Sequence, residues 1–195
     1  MQNLNEILLN LESNDTEVIE RALDDLGKIK VENSLELILP FLKHDSKSVR
    51  ETAVFNLGEI ENEKAIPYII EKVINDEDSV RMFAILALDN YRSNDILKIL
   101  LKEVERPKTS ASPKQRVAEQ LKNYPGIETQ KALIYLIFND ENPYIFIPAV
   151  DSLYSMNDKA LLDTWKKIDA LYNHDYVNSV AKQAIRDIEN KSKEL

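Results

Sequence analysis

At 195 residues the chain has the length of a single domain, and its 34 acidic against 25 basic side chains leave a net charge of -9 at neutral pH. That balance disfavours nucleic acid as a partner, because binding to phosphates rests on cationic side chains, and the absence of cysteine excludes disulfides, thiolate metal sites and cysteine nucleophiles. No run of about 20 apolar residues is present to span a membrane, and Met1-Gln-Asn-Leu-Asn-Glu-Ile lacks the positive flank and cleavage site of a signal peptide, so a cytoplasmic protein is expected.

The first predicted element is a helix over residues 2–12, with Leu4, Leu8 and Leu11 on one face. Those leucines return 31 residues later as Leu35, Leu39 and Leu42, then as Ile66, Ile70 and Val73, then as Leu97, Leu101 and Val104. Between these segments a second pattern repeats with the same period: Asn14, Asp45 and Asp76; Val18, Val49 and Val80; Ala22, Ala53 and Ala84; Leu26, Leu57 and Leu88. A period of 20 to 50 residues marks a solenoid, in which each unit buries its apolar face only by stacking on its neighbours. Each unit is therefore two helices. Asn or Asp is expected to cap the first, its alanine to allow close approach, and Gly58 to close it; Pro67 sits in the first turn of the second.

The pattern Asp45-x-x-x-Val49-Arg50-x-x-Ala53-x-x-x-Leu57-Gly58, repeated as Asp76-x-x-x-Val80-Arg81-x-x-Ala84-x-x-x-Leu88, resembles the HEAT repeat family, as does Ala65-Ile66-Pro67. The resemblance implies an all-α, right-handed α-α superhelix of about twelve antiparallel helices. Its expected repeats cover residues 14–44, 45–75, 76–106, 109–140 and 141–172, between the N-terminal capping helix 2–12 and a C-terminal helix over 174–190. It also implies that Arg50 and Arg81 tie adjacent repeats together. Phe146 and Asn178 stand where that arginine would recur, so the polar ladder is not expected to continue through the second half.

Catalytic patterns are lacking. The sequence has no His-Glu-x-x-His pair, no Gly-rich phosphate loop and no Gly-x-Ser-x-Gly elbow. His44 and His174 lie about four repeats apart in an extended stack and cannot share a site. Neither a catalytic residue, a metal nor a cofactor is expected. Trp165 falls at the repeat position of Ile70 and is read as core. The basic segment Arg106–Arg116, with Lys108, Lys114 and Arg116, reads either as a contact for an acidic partner or as an inter-repeat loop with Pro113 opening the next helix.

The second helices carry the candidate site. With Ile66, Ile69, Ile70 and Val73 facing the core, the expected inner wall presents Leu37, Phe41, Tyr68 and Ile99 as an exposed apolar stripe rimmed by Glu36, Glu71, Lys72 and Glu103. Residues 1–60 hold twelve acidic and six basic side chains, which favours a basic protein partner over nucleic acid. The reading is thus a monomeric, non-enzymatic protein-binding module, analogous in size and charge to immunity proteins that mask nuclease toxins. The alternative is a HEAT-like enzyme or enzyme subunit, of the DNA glycosylase or bilin lyase kind.

Overall fold

The computed structural model describes residues 3–107 and 110–191. Gln2 of the expected capping helix, and Lys108 and Thr109 of the basic segment, lie outside the described residues. Twelve α-helices follow one another among those residues: α1 (Leu4–Leu11), α2 (Thr16–Ile29), α3 (Ser34–Ile38), α4 (Lys47–Glu59), α5 (Ile66–Asn75), α6 (Asp78–Ala87), α7 (Asn94–Glu105), α8 (Ala111–Leu121), α9 (Ile127–Asn139), α10 (Pro143–Ser155), α11 (Leu162–Leu171) and α12 (Asp175–Lys191). The even-numbered helices are the first helices of the repeats and the odd-numbered ones the second. Helix α3 is short because Pro40 has no N–H to offer the carbonyl of Glu36; the chain tightens there into a 3₁₀ turn over Leu39–Lys43.

The repeating alanines sit where the first helices meet. Ala22, Ala53, Ala84, Ala149 and Ala181 are fully buried, and α2, α4, α6, α8, α10 and α12 each pack directly on the next. Contacts between successive second helices are far sparser, with α5 against α7 and α7 against α9 the main ones. The second helices therefore form the more loosely packed layer.

Helix ends differ from the expectation by one residue. The N-cap positions are Asp15, Ser46 and Glu77 rather than Asn14, Asp45 and Asp76, and among these Asp15 accepts from the Glu17 amide at 2.9 Å. Gly58 does not close α4. It lies inside the helix, where a Cβ would stand 2.7 Å from Ala87 Cα, so it is required by contact with α6. In the first half of the chain the left-handed turns belong instead to Lys30 (φ 46) and Glu61 (φ 52), one repeat period apart. Their side chains pair at 2.6 Å across the repeat boundary, a contact that offsets part of the cost of positive φ at a residue with a Cβ.

The core runs unbroken along the stack and includes Trp165, which is 2% exposed and meets Tyr154 edge-on. No helix among the described residues is long and apolar enough to cross a membrane.

Candidate functional site

Each repeat ends where a second helix gives way to the next first helix, and at the α5–α6 junction acidic residues recruit cations from the preceding repeat. Asp76 follows α5. It receives Arg50 Nε at 3.2 Å and Nη2 at 3.1 Å, Lys72 Nζ at 3.2 Å and the Glu77 amide at 2.9 Å. Arg50 also reaches Glu77 and donates to the carbonyls of His44 and Asp45, so one guanidinium binds the start of α4 to the start of α6. Burial opposes ionisation of Asp76, yet the hydrogen bonds from Arg50, Glu77 and Lys72 outweigh it and hold the carboxyl below its usual range. The same pairing raises Arg50.

A carboxyl depressed in the folded state contributes stability above its unfolded value of about 4 and loses that contribution as pH falls through the folded value. Wild type should therefore lose denaturant resistance on acidification below about pH 4. Asp76→Asn should lose less over the same interval, measured as urea midpoints at successive pH values.

One repeat on, the network turns inward. Arg81 and Glu103 are 4% and 2% exposed and form an ion pair, Asp78 bonds Arg81 from the first turn of α6, and Arg106 Nε donates to Glu103 at 2.9 Å. Arg106 also donates to the carbonyls of Val73 and Ile74, bridging α7 to the end of α5. Burial, and then the charge of Arg106, lower the Arg81 guanidinium from its ordinary value.

These contacts revise the predicted surface. Glu103 is enclosed between two arginines, and Lys72, 8% exposed, is engaged by Asp76 and Glu71. Neither is a rim group available to a partner. Leu37, Phe41 and Ile99 are half-buried and pack against the core, and the Phe41 ring stacks on His44. The loosely packed second-helix layer leaves a different cavity, a groove of about 640 Å³ between α3 and α5. Leu39, Pro40 and Leu42 form one wall with Glu36 and Lys43, while Tyr68, Glu71 and Lys72 form the other. Of the predicted residues, Glu36, Tyr68, Glu71 and Lys72 thus meet in one place, and Tyr68 is 45% exposed. A second groove, of about 650 Å³, lies between α7 and α9 and is lined by Leu101, Val104, Glu105, Glu128, Lys131, Ala132 and Tyr135.

Several residues escaped the sequence reading. Lys114, read from the sequence only as part of the basic segment, occupies the arginine position of the fourth repeat and approaches Asp140 at 3.9 Å; the 33-residue spacing from Leu88 to Leu121 was the signal that aligns it with Arg81. The polar ladder also continues by other means. Tyr91 and Tyr124 donate to the carbonyls of Leu57 and Tyr91, Ser152 to that of Ala118 and Gln120 to that of Ile85. Burial pushes the Tyr91 phenol up to about 12, which keeps it a donor at any physiological pH. On the first-helix layer Phe55 and Phe83 meet edge-on at 6.4 Å, a half-exposed pair that the 31-residue ledger did not single out.

Comparison with known proteins agrees with this architecture. The family model for HEAT repeats matches residues 4–89 and 35–111. The chain belongs to the HEAT-repeat family. Among solved structures, this HEAT chain is similar to an engineered protein, with 17% identity, a TM-score of 0.61 and coverage of 97% of this chain and 98% of that one. It is also similar to the complex of CpcE and CpcF of phycocyanin lyase from Nostoc sp. PCC7120, with 20% identity, a TM-score of 0.66 and coverage of 93% of this chain and 75% of that one. At such identities the likeness is one of fold. No curated protein matches the HEAT chain in sequence.

Proposed function

We propose that this HEAT-repeat protein is a non-enzymatic, monomeric cytoplasmic binding module that engages a basic protein through the groove between α3 and α5. The observation that supports this reading is the groove itself. Apolar walls from Leu39, Pro40 and Leu42 face an exposed Tyr68, and the carboxylates of Glu36 and Glu71 stand at its edge. A tyrosine offers a large, rigid contact area at small entropic cost, and flanking carboxylates steer a cationic partner. Residues 1–60, with twelve acids against six bases, extend that bias beyond the groove. A partner with a cationic cleft, such as a nuclease, fits the same description.

Phe41 is not an anchor in this proposal, because its ring packs on the core. Tyr68→Ala is expected to weaken binding by about 2 kcal/mol or more, mainly through faster dissociation, and Glu71→Lys to slow association at low salt. Affinity capture from the native host should compare wild type with the Tyr68→Ala, Glu71→Lys double variant, captured proteins being identified by mass spectrometry. A basic protein retained by wild type and lost by the variant is the expected result. Equal capture by both, or an acidic partner, would overturn the assignment.

A further inference from the structure

We propose that the α3–α5 and α7–α9 grooves act together, holding one extended basic segment of a protein partner through two apolar anchors. This inference rests on the function proposed above and adds the form of the ligand. One wall of the two grooves repeats: Leu39 and Leu101 are two 31-residue periods apart, as are Leu42 and Val104. Each has an exposed tyrosine on its opposite wall, Tyr68 at 45% and Tyr135 at 50%.

Charge complementarity identifies the ligand. In the first groove Lys72 is 8% exposed and turned to Asp76, so the exposed charges there are Glu36 and Glu71, the latter also within reach of Lys72, against Lys43. The second sets Glu105 and Glu128 against Lys131. An apolar anchor flanked by lysine or arginine suits each.

Between them, Arg106 bridges α7 to the carbonyls of Val73 and Ile74, so the layer offers two docking points separated by a bridged seam. Helices in close contact pack at about 8–10 Å, so in this more loosely packed layer alternate gaps stand at least about 20 Å apart.

The test uses fluorescein-labelled peptides carrying one or two Leu-Lys-Phe-Lys clusters, the pairs joined directly or by Gly-Ser spacers of about twelve or about forty residues, titrated by anisotropy. A flexible spacer of about twelve residues has a mean reach near 20 Å, so that peptide should bind at least about 100-fold tighter than a single cluster. The directly joined pair holds its like anchors about four residues, at most about 14 Å, apart; it cannot span the gap and should match the single cluster, and the longest spacer should fall between.

Tyr68→Ala or Tyr135→Ala alone should reduce the two-cluster peptide to single-cluster affinity with an unchanged melting temperature. If spacer length and Tyr135→Ala have no effect while Tyr68→Ala still weakens the single cluster, the two-groove inference is overturned and the one-groove function stands. If neither tyrosine matters, or an acidic peptide binds more tightly, both fall. Concentration-dependent self-association abolished by Tyr135→Ala would assign the grooves to a second copy of the chain and equally overturn the inference.

Discussion

Glu103→Ala is expected to destabilise the fold by about 3–5 kcal/mol, the range for removing one partner of a buried ion pair. The loss comes less from the missing attraction than from what remains. Arg81, 4% exposed, would keep its charge in a site with little water, and Arg106 beside it would repel it. Asp78 retains one bond to Arg81 from a more exposed position and compensates only in part. Urea unfolding followed by circular dichroism measures the effect, and a midpoint within error of wild type would mean that the buried pair is not what holds α6 to α7. The double variant Arg81→Met, Glu103→Leu separates the two contributions. Replacing both charges with apolar groups of similar volume should recover most of the loss, because a desolvated pair contributes little net stability over a well-packed isostere.

Gly58→Val is expected to cost about 3 kcal/mol, at the upper end for overpacking. A Cβ at this position would stand 2.7 Å from Ala87 Cα and 2.9 Å from its carbonyl oxygen, and backbone cannot swing aside as a side-chain tip can. The displacement would also disturb the carbonyl of Gly58, which accepts from Asn90 at 3.1 Å, and the adjoining bond from Tyr91 to the Leu57 carbonyl at 2.8 Å. Gly27 gives the control: its nearest obstacle is the Asn56 side chain, which can rotate away at the cost of its bond to Asp24. Gly27→Ala should therefore be milder than Gly58→Ala, and the reverse order in chemical denaturation would mean that the α4–α6 contact is looser than the structure has it.

The sequence by itself determined the family, the helix pairs and the buried faces. Apolar residues at spacings of three and four, repeated every 31, place Val49, Ala53 and Leu57 on one face of α4 whatever the neighbours do, because that periodicity is a local property of the helix. Its functional signal was thinner: of the stripe expected along the second helices, Tyr68 with Glu36 and Glu71 lies open in a groove, whereas Phe41 and Leu37 pack inward.

Only the tertiary structure decided the fates of Glu103 and Lys72. Both are charged residues next to an apolar face, and the helical period cannot tell a solvated flank from one roofed by the following repeat. That outcome depends on how far apart the helices stand. In this chain alanine and Gly58 let the first helices approach closely, while the second helices pack more loosely around the two grooves and Arg81, Arg106 and Asp76 enclose the charges between repeats. Spacing between repeats is a property of pairs of helices distant in sequence, so the position of a charge relative to solvent is settled at that level and no lower.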